Sequence, residues 1–390
     1  MLIQRDCAKW VTITACLLAL AVGRADPLRA GPCGPFSDVD DTSEFCPSIL
    51  QIYYLGITAG TSPNTFGPTG AVTRQVLAAM LARSASGATA SSGSRRAALG
   101  QFWTTKVPFA LGLTNLPGPP YPCKADGADI WVPTYVGGGA VTRVRASDGK
   151  FLETWTGATN SIDVLSAMGK IFVLGNTSPG ALYVIDPSQP AGPVTSVSAT
   201  LGNAPQAMAF DGSLIYTTNT SAGSITAVIP GSSFPWVTST IAGYGSPLGI
   251  LYDGAHIWVT DTLGGRILKL VGFSIDQIVM VGNDPKHPTF DGTNIWVPNY
   301  ASDSVSVVKA STGEVIATLT DNGLDNPYSA AFDGQRVLVT NSAGQSVSVW
   351  RTSDLAPLGV TATGAAPTGA CSDGVSFWIG LAGVNQLARF

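Results

Sequence analysis

The stretch Phe290-Asp-Gly-Thr-Asn-Ile-Trp-Val-Pro-Asn299 is the clearest copy of a unit that recurs along most of this 390-residue chain. The unit contains an Asp-Gly pair followed by an apolar segment, and successive copies lie 38 to 43 residues apart. The pairs begin at Asp126, Asp211, Asp253, Asp291, Asp333 and Asp373, and Met168-Gly169 takes the same place in the second copy. Seven copies of one unit predict a repeat architecture.

Each copy contains four short segments of strand character, separated by turn residues. In the clearest copy they are Thr289-Phe290, Ile295-Trp-Val297, Ser304-Val-Ser-Val-Val308 and Val315-Ile-Ala-Thr-Leu319. Four strands every forty residues or so are typical of the blades of a β-propeller, and Asp-Gly suits the tight turn between the first two. The sequence therefore predicts an all-β fold, a seven-bladed propeller of four-stranded blades over residues 101–390.

Ring closure is predicted from the two ends of the repeat region. The last copy has room for only two strands before Phe390, and residues 101–116 precede the first full copy. Outer strands supplied by residues 101–116 would complete the last blade and remove the open edge of the sheet.

The copies resemble YVTN-type and virginiamycin-B-lyase-like propellers. The lyase reaction needs a base, an acid and a divalent metal, and the resemblance implies His and Glu residues near the central channel. The propeller region has two histidines, His256 and His287, and two glutamates, Glu153 and Glu314, near outer hairpin turns. His287 follows Pro285 by two positions, where a side chain reaches the channel, and we interpret it as a channel-lining residue. No catalytic residue, metal site or cofactor is predicted.

Composition excludes one class of partner. Charged residues make up 12% of the chain, about half the usual share, and the formal net charge is −4. Apart from Arg95-Arg96, no cluster of Lys or Arg stands out. Nucleic acid is therefore excluded as an expected partner, since phosphate binding needs concentrated positive charge.

Residues 1–25 are typical of a signal peptide. Arg5 and Lys9 precede an apolar run from Val11 to Val22, and small residues at Gly23 and Ala25 suit cleavage before Asp26. No later segment is apolar enough to span a membrane, so we expect an exported protein of the cell envelope, cell surface or extracellular space.

Residues 33–84 have a character of their own, and residues 85–100 are a Ser/Gly/Ala-rich flexible linker. Helical spacing predicts one helix through Ile49 to Leu55 and a second from Thr73 to Leu81. Five short motifs occur in order: Phe36-x-Asp38-Val39, Tyr54-Leu-x-Gly-Ile57-x-x-Gly60, Phe66-x-Pro68, Val72-Thr-Arg-Gln75 and Met80-Leu-x-Arg83.

These motifs resemble one S-layer homology module, which predicts a small helical domain. The resemblance implies that Thr73 and Arg74 bind an anionic cell-wall polysaccharide, since a guanidinium at a helix N-terminus favours anions. The residues alone leave a second interpretation open, in which Thr73 caps the helix and Arg74 is a surface charge. The family usually has Glu where Gln75 stands and commonly uses three modules, whereas this chain shows one.

Four cysteines remain after residue 25, and an even number in an oxidising compartment permits disulfides. Cys33 and Cys46 are predicted to form one within the module. Cys123 and Cys371 lie in corresponding parts of the first and last copies, so ring closure would place them side by side, although their registers differ by one residue.

Two hypotheses for function follow. In the first, the protein is a surface binding or scaffold protein whose module attaches to envelope glycan and whose propeller binds an unknown protein or carbohydrate. The alternative is a lyase-like or other propeller enzyme acting at the central channel. The shortage of ionisable residues beside His287 favours the first.

Overall fold

The computed structural model describes residues 31–40, 43, 45–46, 49, 52–53, 58, 60–62, 64–70, 77, 112–135 and 138–390. They belong to two compact units, residues 1–91 and residues 92–390, which are considered separately. No helix in this part of the chain has the length and apolar character needed to cross a membrane.

The first unit is built around a short hairpin and a disulfide. Strand β1 (Pro32–Cys33) pairs antiparallel with β2 (Phe36–Asp40), and Cys33 is bonded to Cys46 with an S–S distance of 2.06 Å. Phe36 and Val39 of β2 are buried and belong, with Cys33, Cys46 and Ile49, to one small core.

The prediction of a mainly helical module is not supported. The described residues of this unit define one two-stranded sheet and no complete helix. Cys46, Ile49, Ile52 and Tyr53 have helical backbone geometry, but most residues of the two predicted helices, including 73–76 and 78–81, lie outside the described residues.

The second unit is a seven-bladed β-propeller, as predicted, with four antiparallel strands in each blade. Its first strand is β3 (Gly112–Asn115). The first three blades contain β4 (Lys124–Ala125), β5 (Asp129–Thr134), β6 (Ala140–Arg145), β7 (Phe151–Thr156), β8 (Ser161–Ala167), β9 (Lys170–Gly175), β10 (Gly180–Ile185), β11 (Thr195–Leu201), β12 (Pro205–Phe210), β13 (Ile215–Asn219), β14 (Ser224–Ile229) and β15 (Val237–Ala242). The other four contain β16 (Pro247–Tyr252), β17 (Ile257–Asp261), β18 (Arg266–Val271), β19 (Ser274–Met280), β20 (Thr289–Phe290), β21 (Asn294–Asn299), β22 (Ser304–Lys309), β23 (Glu314–Leu319), β24 (Pro327–Phe332), β25 (Arg336–Asn341), β26 (Ser346–Arg351), β27 (Pro357–Ala362), β28 (Pro367–Ser372), β29 (Phe377–Leu381) and β30 (Gln386–Arg389).

The core lies between the blades. The second strand of every blade is buried on both faces, and each contains an apolar or aromatic segment such as Ile257-Trp-Val259. Four of them place a fully buried tryptophan at the same position: Trp131, Trp258, Trp296 and Trp378. Outer strands such as β27 are largely exposed.

The ring closes with one strand from before the first blade. β3 pairs antiparallel with β30, with Gly112 opposite Arg389 and Asn115 opposite Gln386, and so forms the outer strand of the seventh blade. The sequence-based count of two strands in the last copy was wrong, because β30 is only four residues long and was overlooked. β3 lies within the predicted closing segment 101–116, of which residues 101–111 are outside the described residues.

A disulfide joins the first and last blades. Cys123 and Cys371 have an S–S distance of 2.13 Å and a Cα–Cα distance of 5.5 Å. The difference in register does not prevent the bond. Cys123 lies one residue before β4, so the alternation of side-chain direction along a strand does not fix the direction of its side chain.

Candidate binding site on the propeller

The propeller has two faces with different kinds of connection. The Asp-Gly turns and the turns between third and fourth strands lie on one face, called here the Asp-Gly face. The links between second and third strands, and those from each blade to the next, lie on the other, called here the inter-blade face. This division follows from antiparallel order in every sheet.

The recurrent aspartates on the Asp-Gly face are occupied by structural hydrogen bonds. Asp291 Oδ1 accepts bonds from the backbone N–H groups of Thr293 (2.8 Å) and Asn294 (2.6 Å), while Oδ2 accepts from the indole N–H of Trp296 (2.7 Å). In the other blades with the pair, Oδ2 accepts from Trp131, Tyr216, Trp258, Arg336 and Trp378. Each carboxylate thus ties a turn to a side chain of the second strand.

The asparagines that end several second strands are also structural. Asn299 is fully buried, and its amide donates to the hydroxyls of Ser304 (3.1 Å) and Ser306 (3.0 Å) on the neighbouring strand. Asn219 and Asn341 make the equivalent bonds. In the second blade Gly175 holds this position, and Asn176 follows the strand.

Charge is distributed unevenly around the inter-blade face. Of the fourteen connections on the inter-blade face, eleven contain no Asp, Glu, Lys or Arg. The other three are consecutive in the chain: residues 281–288, 300–303 and 320–326. The connections of this face that contain Asp, Glu, Lys or Arg therefore all lie within or next to the fifth blade.

A cluster of polar and aromatic side chains lies in these connections, at the ends of the inner strands. The channel-mouth cluster consists of Asp284, Lys286, His287, Tyr300 and Tyr328, all partly buried. Lys286 Nζ is 2.8 Å from Asp284 Oδ1 and 5.1 Å from the centroid of the Tyr300 ring. The Tyr328 ring lies 5.2 Å from His287 and 6.4 Å from Tyr300.

Backbone bonds between the fifth and sixth blades position the cluster. Pro288 has no N–H and cannot extend the inner strand, so β20 begins only at Thr289. His287 instead pairs with the next blade: its N–H donates to the Tyr328 carbonyl (3.1 Å), and the Ala330 N–H donates to the His287 carbonyl (3.1 Å). His287 and Tyr328 are thereby held together.

Asp163 of the second blade is the structural equivalent of His287 of the fifth. Asp163 follows Ser161 by two residues, as His287 follows Pro285. It is 3% exposed, and its Oδ2 accepts a bond from the Met208 N–H of the next blade (2.7 Å). Our sequence analysis missed it because the second copy lacks both the proline and the Asp-Gly pair used for alignment. Extending the alignment through Ser161, which replaces the proline, would have found it.

Burial shifts the pKa values of both residues. Burial lowers the pKa of His287 to about 3, and the positive charges of Lys124 and Lys286 act in the same direction. Burial raises the pKa of Asp163 to about 6, against the opposing effects of Lys124 and of the Met208 N–H. His287 is therefore neutral at pH 7. Lys124, which the sequence analysis also missed, acts on both groups from the inner strand of the first blade.

The two buried ionisable groups on the inner strands, His287 and Asp163, differ in what they can do chemically. A histidine with a pKa near 3 is a poor base at neutral pH, and the Asp163 carboxylate is engaged by a backbone N–H. Among the described residues, no group of three or more His, Cys, Asp or Glu side chains is arranged to hold a metal ion.

The motifs Phe36-x-Asp38-Val39 and Phe66-x-Pro68 of the first unit contact each other through hydrogen bonds and aromatic rings. The Asp38 carboxylate accepts bonds from the backbone N–H groups of Phe66 (2.8 Å) and Gly67 (2.8 Å), and these bonds lower its pKa. The Phe36 ring contacts Tyr53 and Phe66 at 5.1 and 5.5 Å. Thr73 and Arg74, the predicted glycan-binding residues, lie outside the described residues.

Comparison with known proteins agrees with both units. Residues 35–75 match the family model of the S-layer homology domain. No curated protein matches the chain in sequence.

Solved structures similar to the chain are propellers of low sequence identity. A catalytically inactive variant of virginiamycin B lyase from Staphylococcus aureus with quinupristin has a TM-score of 0.60 at 16% identity, covering 72% of this chain and 99% of that one. Hydrazine synthase from Kuenenia stuttgartiensis has a TM-score of 0.59 at 17% identity, covering 74% and 98%. The WD40 propeller domain of Doa1 has a TM-score of 0.59 at 12% identity, covering 72% and 95%. At these identities the likeness shows the fold alone. The chain therefore carries an S-layer homology domain at residues 35–75 and a seven-bladed β-propeller.

Proposed function

We propose that this protein is an exported surface binding or scaffold protein. Its S-layer homology domain attaches to envelope polysaccharide, and its propeller presents a binding face to a second ligand. The observation that carries the proposal is the S-layer homology match over residues 35–75. Domains of this kind associate with the cell surface and typically bind envelope polysaccharide.

Thr73 and Arg74 are the residues proposed to contact that polysaccharide. They form the Thr-Arg motif near the end of the matched region. A guanidinium offers paired N–H donors to an anionic sugar, and a helix N-terminus would add backbone donors. Residues 1–25 are proposed as the export signal and residues 85–100 as the linker to the propeller.

The inter-blade face is proposed as the binding face of the propeller. The Asp-Gly face is occupied by turns whose carboxylates already hold backbone and indole N–H groups. The inter-blade face carries the channel-mouth cluster, which combines aromatic rings with an ion pair. Binding sites commonly combine an apolar or aromatic surface with a few polar groups.

The alternative, an enzyme acting at the channel, receives less support. A lyase-type reaction needs a base and an acid that converge on one substrate. Among the described residues, the groups nearest to this description are His287, which is neutral, and Asp163, which is bonded to the Met208 N–H.

Co-sedimentation of the full-length chain with purified envelope polysaccharide tests the anchoring role. We expect the wild-type protein to bind and Arg74→Ala to lose at least tenfold in affinity, since it removes a charge-assisted contact. Arg351→Ala is the control, because Arg351 is an exposed arginine of the propeller that pairs with Asp354. Failure of the wild type to bind, or equal binding by Arg74→Ala, would refute the role of the domain or of the residue.

A further inference from the structure

We propose that the channel-mouth cluster binds a neutral glycan through Tyr300, Tyr328 and the Lys286–Asp284 pair. This inference deepens the function proposed above, because it names the ligand class of the propeller. It concerns a different surface, and a different kind of sugar, from those assigned to the S-layer homology domain.

The aromatic rings supply the stacking surface that a sugar needs. Tyr300 and Tyr328 are both partly exposed, and their centroids are 6.4 Å apart with the rings nearly perpendicular. Burial raises the pKa of Tyr328 to about 12, so its hydroxyl stays protonated and its ring uncharged at neutral pH. The electron-rich face of an aromatic ring attracts the weakly positive C–H groups of a pyranose.

The ion pair supplies directional hydrogen bonds beside the rings. Lys286 is an ammonium donor, and the Asp284 carboxylate, about a third exposed, is an acceptor. The ion pair, with 2.8 Å between Nζ and Oδ1, fixes the positions of both side chains. The contact of the ammonium with the Tyr300 ring further restricts the conformation of Lys286. A sugar hydroxyl both donates and accepts, so adjacent hydroxyls match such a donor–acceptor pair.

The charge around the cluster selects against anionic polymers. Lys286 is balanced by Asp284, and His287 is neutral at pH 7. Lys124 of the first blade, whose positive charge acts on His287, also interacts with the carboxylate of Asp163. The remaining charged residues in these connections are Asp303, Asp321 and Asp325, which are exposed and acidic. The other connections of this face are uncharged. A polyanion would meet net repulsion at this position, whereas a neutral glycan would not.

The short connections favour a glycan over a protein partner. Most links on the inter-blade face have only three or four residues, so the aromatic and polar groups form one shallow site. A stable protein interface covers about 800 Å² on each partner and needs several anchoring residues. A site of two tyrosines and one ion pair fits a few sugar units better.

Isothermal titration of the full-length protein with maltohexaose, cellohexaose, mannohexaose and chitohexaose tests the proposal, with polygalacturonate as the anionic comparison. We expect at least one neutral hexasaccharide to bind, and to bind more tightly than polygalacturonate. Tyr300→Ala and Lys286→Ala should each weaken that binding tenfold or more. Tyr252→Ala is the matched control, because Tyr252 is a partly exposed tyrosine on the Asp-Gly face and should leave the affinity unchanged.

Three results would overturn the proposal. They are no binding of any neutral hexasaccharide at millimolar concentration, unchanged binding by both cluster variants, and tighter binding of polygalacturonate through the cluster. A Tyr300-dependent protein partner found in place of sugar binding would overturn it too. Arg74→Ala should keep hexasaccharide binding, and Tyr300→Ala should keep envelope polysaccharide binding, so failure of this proposal is distinguishable from failure of the anchoring role.

Discussion

At the scale of single residues, the turn aspartates show how a carboxylate can recur in a sequence for structural reasons. Asp291 satisfies two backbone N–H groups and the indole N–H of Trp296, a residue with no exposed surface. A buried donor left without a partner costs about 1–3 kcal/mol. The repetition of the motif therefore reflects stability of the blades, and no catalytic role is needed to explain it.

Asp291→Ala should lower the free energy of unfolding by about 2 kcal/mol, because it leaves a buried indole N–H and two turn N–H groups without acceptors. Urea unfolding followed by tryptophan fluorescence measures this. Asp354→Ala is the control: its carboxylate is half exposed and pairs with Arg351, so the loss should stay below about 1 kcal/mol. Equal losses in the two variants would contradict the structural role assigned to Asp291.

Residues of the candidate site were predictable only where the repeat pattern was regular. His287 was found because Pro285 and Asp291 fixed its place in a clear copy. Asp163 was missed because its copy has Ser161 and Met168 in place of the proline and the aspartate. The grouping of Tyr300 with Tyr328 depends on pairing between blades, which no local pattern in the sequence reports.

At the scale of elements, the closing strand β3 is held by few interactions. Its backbone pairs with β30, and the Thr114 hydroxyl donates to the Gly149 carbonyl (2.6 Å) of the first blade. The Leu116 N–H bonds to the Asn385 carbonyl, so by antiparallel alternation the Thr114 N–H also faces β30 and the Leu113 N–H faces away.

Thr114→Pro should destabilise the propeller by roughly 2 kcal/mol or more, because it removes a ladder donor and the hydroxyl bond to Gly149. Leu113→Pro should have a much smaller effect, since its N–H is not used and its side chain is half exposed. Thermal unfolding of both variants, with hydrogen exchange at β30, measures the difference. A Leu113→Pro variant as unstable as Thr114→Pro would show that the assigned pairing is wrong.

At the scale of the whole molecule, the seven-fold repeat was predictable and its closure only in part. Blade number follows from the spacing of copies, since each blade is a local meander encoded within about forty residues. Closure joins residues far apart, and the strand that completes it has no counterpart motif in the repeats. The predicted helices of the first unit rested on helical spacing and on the S-layer homology resemblance, and the described residues do not support a mainly helical module.

The disulfide between Cys123 and Cys371 should stabilise the ring as a whole. It links residues 248 positions apart, and cross-links that close long loops can contribute up to about 5 kcal/mol by restricting the unfolded chain. The double variant Cys123→Ser, Cys371→Ser should therefore unfold at clearly lower temperature.

Tryptophan fluorescence is a suitable measurement for protein produced from residue 26 onward, because no tryptophan then precedes residue 103 and the signal reports the propeller region. The matched control is Cys33→Ser, Cys46→Ser, which removes the other disulfide from the first unit and should leave the propeller transition unchanged. A control variant that shifts this transition as much as the propeller variant would contradict the separate stabilisation of the two units.

The pairing of β3 with β30 also determines the order in which the propeller can form during synthesis. Blades one to six contain only consecutive strands, so each can assemble as soon as its own segment has emerged. β3 emerges before all of them and must wait for β30, the last strand of the ring. A chain interrupted before residue 386 lacks β30 and leaves β3 unpaired, and a chain interrupted before residue 371 also lacks Cys371 and the disulfide to Cys123. Only a chain that extends through β30 can therefore form the closed ring.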